Sequence, residues 1–392
     1  MIIESLLDTD LYKYTMQQAV RSQFPQASVE YAFKCRTDSV DLRPYADEIR
    51  AEINHLCEQS LRPEEQAYLA GIRFIKPGYV ESLRRFFLDP DNVQVTTDNG
   101  EFAIRVKGNW FHTILFEVPI LAIVNEVYFR NVQPDAPTRS TLGHDNLLEK
   151  CEQINAAVRG GLTIRIIEFG TRRRYSREWQ RHVVQTLKEK IGDSLIGTSN
   201  LLLAKEFDLR AFGTMAHEFL QAGQAFVALP DSQKFALEAW NREYRGDLGI
   251  ALSDIFGMDA FLRDFDLLFC KTYDGARHDS GDPFEWGEKL IAHYEKMGID
   301  PRTKTAVFSD SLDIPKIIAL AEQFEGRIRT QFGIGTNLTN DFGFSSLPIV
   351  LKMVRCNGRP VVKVSDSSGK TMSENDTYLQ YVHQVFALQG AE

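Results

Sequence analysis

Cysteine is scarce and scattered in this chain. Cys35, Cys57, Cys151, Cys270 and Cys356 are odd in number and none stands in CxxC spacing, which argues against a disulfide framework or a thiolate zinc site and leaves free, mostly buried thiols. No run of about 18 uninterrupted apolar residues occurs, and residues 1–11 lack the basic start and apolar centre of a signal peptide. A cytoplasmic protein without membrane segments is expected. Positive charge is also short: 45 Lys and Arg face 54 Asp and Glu, a formal net charge of −9. That balance is the wrong sign for tracking nucleic-acid phosphates. An anionic ligand must therefore be met by local cations.

What is present suggests two parts. The 392 residues suit a barrel of roughly 200–250 residues plus a second domain. Residues 1–137 show helices and strands in no βα rhythm. Asp8 and Asp10 stand as candidate caps before a helical run to Val20, and Val93–Phe116 alternates around an Asp98-Asn99-Gly100 hairpin signal. Helices are expected around Tyr45–Leu56, Tyr79–Leu88 and Leu142–Val158.

After Leu162 the pattern becomes strand, loop, helix. Strands are expected at Leu162–Glu168, Leu195–Ile196, Leu209–Phe212, Leu248–Leu252, Leu267–Tyr273, Thr305–Phe308 and Ile328–Gly333. Trp179, Val183, Val184, Leu187 and Ile191 share one helical face. Asp282-Pro283-Phe284-Glu285 and Asp313 with Pro315 read as capped helix starts. The fold class is α/β: an irregular parallel β/α barrel over residues 138–392, preceded by an N-terminal α+β domain to which the C-terminal segment returns.

Each expected strand ends in polar or glycine-rich residues, and in a barrel these ends share one rim. Gly-Thr pairs at Gly197, Gly213 and Gly335 offer backbone N–H groups and hydroxyls to phosphate. Arg172, Arg173, Arg174, Arg177 and Arg181 concentrate guanidinium forks, which suit phosphate and carboxylate. Arg177 and Arg181 read as a solvated helix face beside Glu178, leaving Arg172 as the functional candidate. His217 follows one Gly-Thr turn, and Asp254 ends the next strand, where a carboxylate can fix its tautomer. The eight histidines are dispersed, so no protein metal cage is assigned around Arg277-His278-Asp279; magnesium carried in by phosphates fits better. Ser368-Gly369-Lys370-Thr371 mimics the tail of a P-loop but lacks the leading glycine, with Val364 in its place.

Over essentially its whole length the chain resembles bacterial nicotinate phosphoribosyltransferases, of the type II phosphoribosyltransferase family. The resemblance is carried by L-L-D-T-D-L-Y-K-Y-T-M, E-F-G-T-R-R-R-Y-S, G-T-S-N, G-T-M-A-H-E-F, R-H-D-S-G-D-P, F-S-D-S-L-D and F-G-I-G-T-N-L-T-N-D. It implies an ATP-dependent ligase that joins nicotinate to 5-phosphoribosyl 1-diphosphate with ATP and magnesium, an early step toward NAD. By position, His217 becomes the transiently phosphorylated histidine, which Asp254 is expected to hold in place, and Asp279, a further catalytic candidate, falls among the positions around the ribose and its 5′-phosphate. Tyr12 and Phe169 sandwich the pyridine ring, with Tyr12 reaching in from a partner subunit of a homodimer with shared sites. Arg172, Arg277 and Ser199 meet the ring and its carboxylate. Ser199 stands where nicotinamide-using relatives carry an aspartate, which favours the acid. Asp310, Gly335 and Thr336 match positions around the ribose and its 5′-phosphate. The competing expectations are a phosphoribosyltransferase using nicotinamide or quinolinate without ATP, and a non-catalytic nucleotide-binding barrel.

Overall fold

The computed structural model describes all residues except 38, 134–141, 365–370 and 389–392. The expected boundary between the two parts, at 137/138, and the Ser368–Lys370 stretch lie outside the described residues.

Two sheets organise the chain. In the first, β1 (Ser28–Cys35), β2 (Val93–Thr96) and β3 (Ala103–Asn109) join β10 (Ile349–Cys356) and β11 (Arg359–Pro360) in the order β11-β10-β1-β3-β2, all antiparallel. The β1–β10 register, from Val29 opposite Cys356 to Cys35 opposite Ile349, brings the end of the chain back against its beginning. The hairpin expected around Asp98 is present as the β2–β3 pair, but its turn is a short 3₁₀ segment. The alternation stops at Asn109, whose side chain caps a helical turn by accepting from Phe111 N. Trp110–Phe116 is therefore helical, not the continuing strand its pattern suggests.

The second sheet is wholly parallel. β4 (Ile166–Glu168), β5 (Leu195–Thr198), β6 (Ile250–Leu252), β7 (Gly275–His278), β8 (Thr305–Phe308) and β9 (Arg329–Ile334) follow the order β5-β4-β9-β8-β7-β6. Its edges, β5 and β6, are bridged by residues 210–214. Phe212 N donates to Thr198 O at 2.9 Å and Thr214 Oγ1 donates to Ile250 O at 2.9 Å. The sheet thus closes as an irregular parallel β/α barrel. Gly197 makes that closure feasible: its φ is +155°, and a Cβ there would lie 2.1 Å from Arg210 O.

Two expected strands are corrected. Leu209–Phe212 contributes one bridge, Thr198 to Ala211, rather than a full strand. Leu267–Tyr273 is mostly helix (Leu267–Thr272), because Asp266 accepts from Leu268 N and Phe269 N and so caps it. The strand lies just beyond, at Gly275–His278. It packs so closely on β8 that a Cβ on Gly275 would meet Thr305 O at 1.8 Å.

Four helices matter for the site: α1 (Leu11–Gln23), α2 (Glu117–Val132), α3 (Arg177–Ile191) and α4 (His217–Phe226). The continuous stretch Trp110–Val132 is long and apolar enough to cross a membrane, yet 83% of its most apolar window is buried inside the protein. It is a core helix, and each fully buried Leu, Ile, Val or Phe in it contributes about 1.5–3 kcal/mol. α3 buries Trp179, Val183, Val184, Leu187 and Ile191 as their spacing requires, and Ser176 caps it by accepting from Trp179 N. Asp282 and Asp313 cap their helices as expected. All five cysteines are free.

Candidate active site

A cleft of about 710 Å³ opens at the carboxyl ends of the parallel strands. Every site residue expected from the sequence except Asp254 lines it: Tyr12, Phe169, Arg172, Ser199, His217, Arg277, Asp279, Asp310, Gly335 and Thr336. Asp254 is buried directly behind His217. Placing the carboxyl ends of β4 to β9 on one rim brings together residues that are up to 324 positions apart, from Tyr12 to Thr336.

One end of the cleft is aromatic. Phe169 follows β4, and its ring lies against Gly333, where a Cβ would come within 2.3 Å. Below it, Glu168 is fully buried and joins the two neighbouring strand ends. Its carboxylate accepts from Gly170 N at 2.5 Å, Gln180 Nε2 at 3.0 Å and Thr198 Oγ1 at 2.6 Å. Burial pushes this carboxyl up to about 7, with those three donors opposing.

The N-terminal segment forms the opposite wall. Leu11 N donates to Ser199 O at 2.8 Å and Leu201 N to Thr9 O at 3.0 Å. Tyr12, in the first turn of α1, therefore lines the cleft of its own chain. Asp8 and Asp10 do not cap α1. Asp8 takes both Nη atoms of buried Arg174 at 2.7 and 2.8 Å, and Asp10 accepts from Ser199 Oγ at 2.7 Å. Arg174 is thus an internal anchor, Arg172 faces the cleft 3.7 Å from Glu117, and Arg177 and Arg181 pair on the surface with Glu4 and Glu206. Burial raises the Asp10 carboxyl above the usual range, with the Ser199 hydroxyl offsetting part of the rise.

The other end is built on charge. His217 opens α4, and its Nε2 lies 2.7 Å from Asp254 Oδ1 and 3.6 Å from Asp279 Oδ2. Asp254 Oδ2 takes Lys363 Nζ at 2.6 Å and Ser280 Oγ at 2.7 Å. Burial, reinforced by the Lys363 charge, lowers His217 below the ordinary imidazole value, with Asp254 opposing. Burial would raise Asp254, but Lys363 and His217 outweigh it and hold the carboxyl well below its usual range. Arg277 and His217 do the same for Asp279. His278 is buried with Nε2 near Gly281 O at 3.2 Å, a core histidine beside the site.

Toward the end of β8 the cleft carries Ser309, Asp310 and Ser311, with Ser311 held at φ +50°, a strained position for serine. Ser309 Oγ donates to Asp279 Oδ1 at 2.9 Å. Facing them are Arg36, Arg173, Lys352 and Lys363. Burial, followed by the charges of Lys363 and Arg36, brings Lys352 down to about 7. An arriving phosphate would restore its proton. Sequence reasoning did not single out Lys363, Lys352, Arg36, Glu117 or Glu218, and read Asp10 only as a helix cap. Glu117, opening an apolar helix alone, was the one visible signal among them.

His217, Asp254 and Asp279 place ligand atoms within 4.8 Å of one another. They do not suit magnesium. That ion prefers oxygen ligands in octahedral array, whereas here one donor is an imidazole and Lys363 already occupies the charge of Asp254.

A barrel rim that combines an aromatic slot, a carboxylate-held histidine and a bank of cations defines an anion-handling group-transfer enzyme. Comparison with known proteins supplies the family. Residues 164–390 match the nicotinate phosphoribosyltransferase (NAPRTase) family, and residues 7–125 match its N-terminal domain. A nicotinate phosphoribosyltransferase of Cupriavidus necator is 56% identical over 398 residues, covering 100% of both chains, and one of Burkholderia mallei is 55% identical over 99% of this chain and 98% of its own. Crystal structures of nicotinate phosphoribosyltransferases are also similar. That from Vibrio cholerae has a TM-score of 0.94 at 40% identity, covering 100% of this chain and 95% of its own. That from Porphyromonas gingivalis has 0.92 at 35%, covering 99% and 100%. The chain belongs to the nicotinate phosphoribosyltransferase family.

Proposed function

We propose that the chain joins nicotinate to 5-phosphoribosyl 1-diphosphate, releasing nicotinate mononucleotide and diphosphate, and that ATP drives the reaction through phosphate carried on His217. The observation that carries this reading is a half-buried imidazole at a helix N-terminus, its Nε2 held by Asp254 and its basicity lowered by burial, in the same cleft as Tyr12, Phe169 and Arg172.

The chemistry follows from these positions. Among the described residues the His217 Nδ1 has no hydrogen-bond partner, so it is the nitrogen left to attack the γ-phosphorus of ATP. The P–N bond forms as the P–O bond to ADP breaks, and the positive charge left on the ring is stabilised at Nε2 by Asp254. The N-terminal amides of α4 favour the added charge. At the other end, Tyr12 and Phe169 hold the pyridine, while Arg172 and Arg277 meet its carboxylate. The ring nitrogen is already nucleophilic and needs no base. As it attacks ribose C1 the C–O bond to diphosphate breaks, and Asp279 and Asp310 hold the hydroxyls while oxocarbenium character develops. Arg36, Arg173, Lys352 and Lys363 take up the departing negative charge. Magnesium, arriving on the phosphates, would add to that neutralisation. Water then releases phosphate from His217.

Ser199 is proposed to favour the acid over the amide. Its hydroxyl proton points to Asp10, so its contribution includes keeping that carboxyl turned away from the substrate. The reading is tested by measuring product from nicotinate, 5-phosphoribosyl 1-diphosphate and magnesium with and without ATP, and with nicotinamide in place of nicotinate. ATP is expected to accelerate formation from nicotinate. Equal rates without ATP, or a preference for nicotinamide, would overturn it.

A further inference from the structure

Four residues of α1 touch the segment 213–218, which contains His217. Gly213 packs against Tyr12, where a Cβ would come within 2.9 Å of Tyr12 N. Lys13 Nζ pairs with Glu218, Thr15 Oγ1 donates to Thr214 O at 2.7 Å, and Ala216 N donates to Met16 Sδ at 3.3 Å. Ala216 has no side chain with which to cap α4. The first turn of that helix is therefore anchored from α1 and through Glu218, whose Oε1 also accepts from Trp110 Nε1 at 2.9 Å and Tyr31 OH at 3.0 Å.

Lys13 has a second carboxylate partner, Glu117 Oε2 at 2.5 Å, and Glu117 Oε1 lies 3.7 Å from Arg172. The Lys13 side chain is 0% exposed, Glu218 5% and Glu117 13%. Lys13 and Arg172 balance Glu117 and Glu218 in charge. Lys13 and its two carboxylates form the enclosed part of this set, with Arg172 half-exposed at its cleft edge, and displacing one enclosed member strands the charge of another. α1 thus carries Tyr12 at the pyridine end and, one residue later, grips the neighbour of His217. An anion beside Arg172 competes with Glu117 for the guanidinium, which changes how Glu117 shares Lys13 with Glu218.

We propose that α1, acting through Lys13, is the link by which occupancy of the pyridine end and phosphoryl turnover at His217 control one another. Lys13 is a positioning residue for both. This rests on the ATP-coupled reading above.

The test is the amount of ADP released per nicotinate mononucleotide formed. Two variants are compared with the native chain: Lys13→Met with Glu218→Gln, which keeps the buried charge balanced, and Thr15→Val, which removes the hydroxyl that bonds Thr214 O and, within α1, Leu11 O and Tyr12 O, and no charge. In the double variant product formation is expected to fall about tenfold while ADP release falls less, so that the ratio rises by about threefold or more, with a smaller rise for Thr15→Val. A purely structural role would lower both rates together. An unchanged ratio in Thr15→Val, and in the double variant if it melts cooperatively, overturns the link while leaving ATP coupling intact. No ADP release by the native chain overturns both, and that result is visible before any variant is compared.

Discussion

The two ends of the cleft handle negative charge in opposite ways. At the pyridine end, two acids, buried Asp10 and partly buried Glu117, line the wall beside Arg172, and a hydroxyl and a buried lysine quiet them. At the phosphoryl end, Asp254 and Asp279 stay ionised because Lys363, Arg277 and His217 surround them. The first end is the one proposed to discriminate, through the Ser199 hydroxyl that holds Asp10. The second reacts, because its carboxylates hold fixed charge against the ring on which phosphate is proposed to form.

The comparison is broken most severely by Asp254→Asn. It removes the nearest carboxylate from both Lys363 and His217, leaving only the more distant Asp279, so ATP-dependent product formation should fall by about 10², as followed by product and ADP assays. A smaller loss would mean that Asp279 alone can stabilise the ring. Next comes Ser199→Asp, which sets a second carboxylate against Asp10. The KM for nicotinate should rise about tenfold relative to that for nicotinamide, with kcat less affected. No change in that ratio would assign recognition of the acid to Arg172 and Arg277.

Much of this arrangement is legible in the sequence because local rules agree. The caps at Asp282 and Asp313, the apolar face of α3 and the polar strand ends all lie where their spacing puts them. The failures have physical causes. Leu267–Thr272 resembles a strand until Asp266 satisfies two orphan amides and starts a helix, whereas the true strand Gly275–His278 has almost no β-forming residues and is defined by contact with β8. Asp8 and Asp10 carry a cap signature but are recruited by Arg174 and Ser199, 166 and 189 positions away. Lys363 reaches Asp254 across more than a hundred residues, and no local pattern marks it.

A gentler probe sharpens the pyridine end. Burial raises Glu168 to about 7 in the folded chain, above its ordinary value, so the folded state binds a proton that the unfolded state has lost. This group therefore lowers stability as pH rises between about 4.5 and 7. Glu168→Gln should flatten that part of the profile, read as the Tm difference from the native chain at pH 5 and pH 7.5. A constant difference would place the titration elsewhere. The smallest effect is expected from mixing a Tyr12→Ala chain with a His217→Asn chain. With Tyr12 and His217 of one chain lining one cleft, no activity should be regained, whereas recovery would show that Tyr12 serves a partner's site.

The central claim is tested most directly by trapping phosphate from γ-labelled ATP on the protein. The native chain should take up acid-labile label and lose it when nicotinate and 5-phosphoribosyl 1-diphosphate are added, whereas His217→Asn should take up none. Label retained by His217→Asn, together with continued ATP turnover, would contradict the account.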